Sequence, residues 1–264
     1  MAPRIVISLL SWDSEIYTRN ILLNFGVIDP GIGCHIHITD QGSRTELRQM
    51  VADFVKNRPN ASMTQLEENI GYGAGHNLAH KTLSERFEFD YFVTLNNDSL
   101  FGRHGWLKHM VEIMDKNLRL GLGGPLAMRR VPGEEEREPP PASTQPFSFI
   151  SGACVIIREQ AIRRIGLFDE VYAPAYWEDT DLAFRYRRYG WGQKLMRTNF
   201  LHSYLGREAT VSREKLPMLM EKHGDFFARN REIFLARWME GAPTPAEPDL
   251  IRAFPGLYIP KPRS

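Results

Sequence analysis

Acidic side chains stand at three places where predicted secondary-structure elements end or begin. Asp40 follows an apolar run at residues 34–39, and Asp98 follows another at 91–95. The segment WEDTD at 177–181 opens a helical pattern. Carboxylates at such ends either cap a helix or carry chemistry, because they bind cations and accept protons. The sequence therefore predicts a site built from strand ends and one helix start.

The acids of the WEDTD segment are expected to face different directions. In a helix over 178–189, Glu178 and Asp179 precede Leu182 by four and three residues, so we expect both on the buried face. Asp181 is turned about 100° away from Leu182 by the helical period. A single acid here is typical of a cap that satisfies free backbone N–H groups. Two inward acids preceded by Trp177 favour a functional role.

The segment LNNDS at 95–99 places Asn96, Asn97 and Asp98 at the mouth of a predicted strand. This set suits a hard divalent cation held by few protein oxygens together with ligand phosphates. Turn and helix-cap chemistry is the alternative interpretation. The histidine pairs at 35 and 37 and at 76 and 80 could also bind a metal, but surface or packed histidine is the favoured interpretation of each pair.

The glycine-rich segment NIGYGAGHN at 69–77 opens a predicted helix and could cradle an anion with its backbone N–H groups. Its glycines are spaced G-x-G-x-G and follow the third predicted strand. A dinucleotide fingerprint instead has G-x-G-x-x-G in the first strand–helix unit. A simple flexible turn therefore remains the alternative for this segment.

Strand and helix patterns alternate along the first half of the chain. Strands are predicted at 5–10, 34–39, 61–66 and 91–95, and helices at 14–25, from the turn at 40–43 to about 56, and at 74–84. This alternation predicts a doubly wound, mostly parallel sheet, which binds ligands at the carboxyl ends of its strands.

The second half is more broken. A strand is predicted at 147–157, helices at 159–165 and 178–189, a short strand at 194–196, and a helical stretch at 214–238 with a break near Gly224. The proline-rich segment 131–146 is expected to be a surface loop, and with 203–213 it is a candidate lid. The tail after Gly241 is expected to lie along the surface.

Composition excludes several classes of protein. The chain has 264 residues, with 33 Lys and Arg against 32 Asp and Glu, a net charge of +1. Proteins that grip nucleic-acid phosphates usually carry a basic excess, so no nucleic-acid partner is expected. The two cysteines lack a C-x-x-C partner, which favours a reducing compartment. No signal peptide and no apolar run of about 18 residues is found, so a cytoplasmic location without a transmembrane segment is expected.

The order of these motifs resembles the family 2 glycosyltransferases, inverting nucleotide-sugar enzymes of the GT-A fold, and most closely their bacterial rhamnosyltransferase-like members. The resemblance runs from about residue 5 to 238. ISLLSWD and TDQGS are similar to the nucleotide-binding turns, NIGYGAGHN to the N-x-G-[FY]-x-x-G-x-N signature, and LNNDS to the metal-binding Asp-x-Asp motif. GLFDE, EDTDL and RYRRYG complete the later family run. The fold implied is a single doubly wound, mixed, mostly parallel sheet flanked by helices.

The resemblance implies a role for each matching residue. Asp179 corresponds to the catalytic base, Trp177 and Glu178 fall near the acceptor, and Asp98 and His202 correspond to ligands of Mn²⁺ or Mg²⁺. The nucleotide-sugar contacts implied are Ser11, Asp13, Asp40, Asn69, Gly75, Asn77, Asn96, Asn97 and Asp98. Asn96 replaces the first Asp of the metal motif, and HSYLGRE after the histidine departs from the family pattern.

The domain implied spans 1–240, with a nucleotide-binding half at about 1–98, an acceptor-binding half at 99–240 and a tail at 241–264. A UDP- or dTDP-linked sugar is the expected donor. A glycan, a lipid-linked molecule or a small molecule remains open as acceptor, as does peripheral contact with a membrane.

Three other functions compete with this interpretation. A sugar-1-phosphate nucleotidyltransferase would carry a glycine-rich, arginine-bearing loop after the first strand, where this chain has SLLSWDSE. A non-catalytic nucleotide-sugar or glycan-binding module fits Asn96 but does not explain an intact Trp177-Glu178-Asp179. A dinucleotide-dependent oxidoreductase is disfavoured because the glycine motif lies in the wrong unit.

Overall fold

A computed structural model describes residues 4–129, 148–203, 216–238 and 243–261. The main sheet consists of β1 (Ile5–Ser11), β2 (His35–Gln41), β3 (Ala61–Leu66), β4 (Tyr91–Asn96), β6 (Leu120–Gly124), β9 (Cys154–Arg158) and β10 (Gly192–Leu195). Short strands β5 (Ser99–Phe101) and β11 (Phe200–His202) pair with each other, as do β7 (Ala127–Arg129) and β8 (Ser148–Ile150).

The helices are α1 (Glu15–Val27), α2 (Thr45–Lys56), α3 (Tyr72–Ser84), α4 (Trp106–Lys116), α5 (Glu159–Ile165), α6 (Glu178–Arg188), α7 (Leu216–Trp238) and α8 (Leu250–Ala253). Two 3-10 turns at Glu170–Tyr172 and Glu247–Asp249 precede α6 and α8. In the part of the chain described here, no helix combines the length and apolarity needed to cross a bilayer.

The sheet has the strand order β10-β6-β9-β4-β1-β2-β3. Its strands run parallel except β9, which is antiparallel to both β4 and β6. The predicted mixed, mostly parallel sheet is therefore confirmed. Because β9 is reversed, its beginning lies at the edge where the other strands end.

Helices cover both faces of the sheet. Along β1 every residue is buried, and alternate side chains enter different cores. Ile5, Ile7 and Leu9 pack with α1, α2 and α4, whereas Val6 packs in the core that includes α3, α5, α6 and α7. Burial on both faces explains why β1 is one continuous apolar run in the sequence.

Several predicted boundaries are wrong. The expected strand over 147–157 is divided into β8 and β9, because the chain turns at Ser151-Gly152-Ala153. No break occurs near Gly224, since α7 is continuous. The tail does not only lie along the surface: Leu250, Phe254 and Leu257 join the core. The loop predicted at 131–146 and most of the segment 203–213 lie outside the described residues.

Candidate functional site

The ends of β1 and β2 form one corner of the site. Ser11 and Asp40 are register partners in the two strands. The turn after β1 is joined to the turn after β2 because the backbone N–H of Asp13 donates to Ser43 Oγ at 3.0 Å. The N–H of Arg44 donates in return to Asp13 Oδ1 at 2.8 Å. These bonds fix the two predicted turns against each other and hold Asp13 at a φ of +49°.

Asp40 presents one carboxylate oxygen without a hydrogen bond. The side chain is fully buried, and its Oδ1 accepts the N–H of Ser43 at 3.1 Å. Burial raises the pKa of Asp40, which the bonds from Ser43 and the nearby Arg48 counteract. Oδ2 has no hydrogen-bond partner among the described parts of the chain. A buried acceptor left without a donor is costly, so this oxygen is suited to an N–H group of a ligand.

The end of β4 forms the second corner. Asn97 Nδ2 donates to Thr18 Oγ1 at 3.0 Å, and Thr18 Oγ1 lies 3.2 Å from Ser11 Oγ. Asn97 therefore ties this corner to the end of β1. Asn96 is the last residue of β4 and is half-buried, with its backbone N–H bonded to the carbonyl of Ala153 at 3.0 Å.

Asp98 and His202 are brought together by the pairing of β5 with β11. In that pairing His202 lies opposite Ser99, the residue after Asp98. Ser203 donates its hydroxyl to Asp98 Oδ2 at 2.8 Å and its backbone N–H to the Asp98 carbonyl at 3.0 Å. The other oxygen, Asp98 Oδ1, lies 3.3 Å from His202 Nε2, yet neither atom makes a hydrogen bond with any residue that the structure describes.

This pair of atoms fits a divalent cation. A carboxylate oxygen and an imidazole nitrogen that face each other without bonding are donors a metal ion would satisfy. No cluster of three or more His, Cys, Asp or Glu ligands exists within the described ranges. Two protein ligands leave coordination positions for phosphate oxygens and water, which is the usual arrangement for Mg²⁺.

The start of α6 brings Asp179 to the same edge. Asp179 Oδ2 accepts the N–H of Gly152 at 3.1 Å, and Oδ1 accepts the N–H of Thr180 at 2.7 Å. Gly152 lies in the turn before β9, next to Ala153, whose carbonyl bonds to Asn96. The turn 151–153 thus joins the base candidate to the end of β4. A side chain at position 152 is excluded, because its Cβ would lie 2.7 Å from Tyr72 Oη.

Trp177 does not face the same space as Asp179, and Glu178 is buried. Trp177 is only 2% exposed and packs against Phe227 and Phe234 of α7, with ring centroids 5.5 and 5.0 Å away. The predicted acceptor contact of Trp177 does not follow from this placement, because the indole lies in the core. Glu178 is buried and lies beside α3 and the 3-10 turn before α6.

Asp181 is buried although the helical period turns it about 100° away from Leu182. Asp181 is 1% exposed, accepts hydrogen bonds from Tyr172 and Trp238, and lies 3.3 Å from Arg185 Nε. The helical period placed it correctly relative to Leu182, but α6 is buried on more than one side. Helix α7, which is distant in sequence, and the 3-10 turn at Glu170–Tyr172 cover the side of α6 on which Asp181 lies.

The three predicted residues of the glycine segment are not together. Asn69 is exposed and accepts the N–H of Gly71 at 2.8 Å. Gly75 lies against the ends of β1 and β2, where an added Cβ would be 3.0 Å from Leu10 and 3.2 Å from Gln41. Asn77 is turned towards the segment before α6: its amide accepts from the Phe168 N–H at 3.2 Å and donates to the Phe168 carbonyl at 3.1 Å.

The paired histidines are packed residues. His35 and His37 bond to Ser62 at 2.7 and 2.8 Å, and burial lowers the pKa of each to about 4. His76 bonds to Ser8 at 2.8 Å, and burial lowers its pKa to about 3. His80 bonds to Glu159 at 2.8 Å. The simple alternative to a metal site therefore accounts for all four histidines.

Four residues of the site were not singled out in the sequence. They are Tyr72, Gly152, Ser203 and Asn230. Ser203 follows the candidate ligand His202 directly, Gly152 is a glycine inside the strand predicted at 147–157, and Tyr72 occupies the [FY] position of NIGYGAGHN, so these three had a local signal. Asn230 acts through contacts with the distant segment before α6, which no local pattern indicates.

Comparisons with known proteins place the chain in a family. Residues 22–166 match the model of glycosyl transferase family 2. An N-acetylglucosaminyl-diphospho-decaprenol L-rhamnosyltransferase of Mycobacterium tuberculosis is 25% identical over 195 residues. The alignment covers 58% of this chain and 61% of that relative, so the chain spans under two thirds of the relative's length.

Solved structures share the fold at low identity. Glucosyl-3-phosphoglycerate synthase from Mycobacterium tuberculosis, with Mn²⁺ and UDP, superposes with a TM-score of 0.57 and 13% identity over 92% of this chain and 81% of that chain. TarS 1–349 of S. aureus with UDP gives 0.58 and 17% over 95% and 70%. Mannosyltransferase PcManGT from Pyrobaculum calidifontis, with GDP-Man and Mn²⁺, gives 0.57 and 13% over 75% and 55%. These are GT-A structures, so the predicted GT-A fold is confirmed.

Proposed function

The chain belongs to glycosyl transferase family 2 and is a glycosyltransferase, and we propose that it transfers a sugar, with inversion, from a nucleoside-diphosphate donor to an acceptor hydroxyl. The observation that carries the proposal is the meeting of three groups at one sheet edge. These groups are the bare carboxylate oxygen of Asp40, the facing pair Asp98–His202, and the Asp179 carboxylate.

The nucleotide half is assigned to 1–98 and the acceptor half to 99–240. Asp40 Oδ2 would accept the ring N–H of a uracil or thymine base, which supports a UDP- or dTDP-linked donor. The corner formed by the ends of β1 and β2, which holds this oxygen, also contains Ser11, Asp13 and the glycine-rich turn. The donor's diphosphate would then reach the end of β4, where Asn96, Asn97 and Asp98 stand.

Asp98 Oδ1 and His202 Nε2 would hold Mn²⁺ or Mg²⁺. When bound, the cation neutralises the charge that develops on the departing diphosphate. Ser203 keeps Asp98 Oδ1 free for this role by occupying Oδ2. Asn96, a neutral residue, leaves Asp98 as the only carboxylate of the LNNDS segment, so we expect weaker metal binding than from two acids.

Asp179 would act as the general base. The acceptor oxygen attacks the anomeric carbon, its proton passes to the Asp179 carboxylate, and the bond to the diphosphate oxygen breaks with its electron pair on that oxygen. The N–H groups of Gly152 and Thr180 hold the carboxylate in place. A single displacement with one base inverts the anomeric centre, whereas a covalent intermediate would need a nucleophilic carboxylate.

The curated relative suggests which substrates to try first. Its name describes rhamnosyl transfer to a diphospho-decaprenol-linked N-acetylglucosamine. We therefore propose dTDP-rhamnose as the first donor and a lipid-linked diphosphate sugar as the first acceptor. Glycan and small-molecule acceptors are tested next in the same assay. Hydrolysis of the donor by water, measured without an acceptor, gives the background rate.

The decisive experiment combines binding and turnover. UDP, dTDP and GDP are screened by thermal shift with Mn²⁺ or Mg²⁺, and a nucleotide at 100 times its Kd should add about 2.7 kcal/mol of stability. Release of the nucleoside diphosphate from UDP-glucose and dTDP-rhamnose is then measured for wild type and Asp179→Asn. We expect Asp179→Asn to bind nucleotide normally and to lose turnover. Full turnover in this variant would show that the base assignment is wrong.

A second comparison separates an enzyme from a binding module. Asp98→Ala and His202→Ala should remove the Mn²⁺-dependent part of nucleotide binding, whereas His104→Ala, an exposed histidine, should not. Equal Mn²⁺ dependence in all three variants would refute the metal pair. Tight nucleotide binding with no turnover on any acceptor would favour the non-catalytic module instead.

A further inference from the structure

The segment 168–177 leads directly into the helix that carries Asp179, and two buried asparagines hold its ends. Asn77 of α3 bonds to the backbone N–H and carbonyl of Phe168 at the first end. Asn230 of α7 bonds to the backbone at the second end. The family resemblance gives Asn230 no role, and its side chain lies on the opposite side of this segment from solvent, with no exposed surface.

The amide nitrogen of Asn230 bonds only to this segment. Nδ2 donates towards the carbonyls of Tyr172, Ala175 and Tyr176, at 2.7, 2.9 and 3.0 Å. Its oxygen accepts from Arg229 Nη2 at 2.8 Å, and Arg229 also donates to the carbonyl of Ala173. An amide nitrogen has two hydrogens, so the three carbonyls share them. A single side chain thus contacts three backbone carbonyls within the five residues 172–176.

The residues after these carbonyls adopt a backbone that needs such support. Tyr176 and Trp177 have φ values of +76° and +75°, a region that side chains other than glycine rarely occupy. Phe227 and Phe234, one turn before and one turn after Asn230 on α7, pack on the indole of Trp177. The Trp177 carbonyl then accepts the N–H of Asp181 at 2.8 Å, which begins α6 two residues from Asp179.

We propose that Asn230 is a positioning residue for Asp179. It fixes the left-handed turn at 176–177, and that turn sets where α6 begins and therefore where the Asp179 carboxylate lies relative to Gly152. This inference rests on the proposed role of Asp179 as the base. It assigns to α7 a part in turnover and none in donor binding, because the nucleotide corner is made by β1, β2 and β4.

The test uses three variants of Asn230 in the full chain. Asn230→Leu has nearly the same volume without donors, Asn230→Asp has the same shape without N–H groups, and Asn230→Gln keeps the amide. For Leu and Asp we expect kcat of nucleotide release from dTDP-rhamnose to fall about 10²-fold, since a shift of about 1 Å can cost that much. The donor KM and the Kd of dTDP with Mn²⁺ should stay within about twofold. Asn230→Gln should keep more kcat than Asn230→Asp.

A stability control separates positioning from loss of folding. Ile162→Ala removes a fully buried side chain of α5 that the site does not use, and should lower Tm without lowering kcat of the folded fraction. If the Asn230 variants keep wild-type kcat while Asp179→Asn is inactive, the inference fails and the proposed base stands. If Asn230→Gln is no better than Asn230→Asp, or if KM and Kd rise together with the loss of kcat, a merely structural role replaces it. If Asp179→Asn remains active, the base assignment fails first, and the positioning role fails with it.

Discussion

Asp181 offers the sharpest test of how the start of α6 is stabilised. Its carboxylate is 1% exposed and accepts hydrogen bonds from Trp238 Nε1 at 2.8 Å and Tyr172 Oη at 3.1 Å. Arg185 Nε lies 3.3 Å away and Arg237 Nη1 3.8 Å away. Asp181→Ala would leave these donors, including two cations, without their common acceptor.

The size of the loss follows from that environment. Removing one partner of a buried ion pair typically costs about 3–5 kcal/mol, because the remaining charge stays buried. Chains of this kind unfold with an entropy of about 2.1 cal/mol/K per residue, which for 264 residues is about 0.55 kcal/mol/K. We therefore expect Asp181→Ala to lower Tm by about 5–9 °C.

Urea unfolding at neutral pH, with calorimetry for Tm, measures this effect. Asp181→Asn keeps an oxygen acceptor without the charge and should fall between wild type and Asp181→Ala. Asp53→Ala, an exposed acid on α2, should change the free energy of unfolding by less than about 0.5 kcal/mol. A loss below about 1 kcal/mol for Asp181→Ala would refute the view that this carboxylate joins α6 to α7.

Three further outcomes are expected. Burial lowers the pKa of His76 to about 3, against about 6.5 in the unfolded chain, so its stabilising effect is complete above about pH 6.5 and is lost as pH falls towards 3. His76→Gln should reduce the acid loss of stability in urea by up to about 1.4 kcal/mol per pH unit, whereas exposed His104→Gln should not. Asn77→Ala should lower Tm and kcat and leave dTDP affinity unchanged; a large rise in Kd at unchanged Tm would instead place Asn77 on the nucleotide. Asp40→Asn should weaken dTDP binding by about 10–100-fold and pyrophosphate binding hardly at all, by calorimetry, because a charged acceptor contributes about 1.5–3 kcal/mol.

Strands β1, β2 and β4 could be predicted from the sequence because they are buried on both faces. The edge strand β3 is only half-buried, and its sequence pattern is correspondingly weaker. The run at 61–66 coincides with β3, and the run at 5–10 falls one residue short of β1. β6 was not predicted, because its sequence LGLGG is poor in the residues typical of strands. Close packing favours its glycines: a Cβ at Gly121 would lie 2.7 Å from Tyr186, and one at Gly124 would lie 2.4 Å from the carbonyl oxygen of Cys154. Those neighbours belong to distant segments, so no local pattern indicates them.

The residues of the site likewise divide into those indicated by a local sequence pattern and those that depend on distant segments. Asp40, Asp98 and Asp179 could be singled out because each stands at the end of a locally recognisable element. The directions in which the Trp177 and Asp181 side chains point could not be predicted. Helix α7 covers both side chains, and the way α7 packs on α6 is not encoded in the sequence near residue 177. Helix α4 was missed for a different reason. Its buried residues Trp106, Met110 and Met114 have helical spacing, so the signal was present and not used.

The contacts that build the site differ greatly in how much chain they enclose. Asp13 meets Ser43 across 30 residues, whereas Ser203 meets Asp98 across 105 and Asn230 meets Tyr172 across 58. Closing longer loops costs more chain entropy, and contacts of high sequence separation slow folding. We therefore expect the β1–β2 corner to assemble early during folding and the metal pair and base to assemble late. A partly folded chain would then have the β1–β2 corner proposed to bind the nucleobase before Asp98, His202 and Asp179 are in place for sugar transfer.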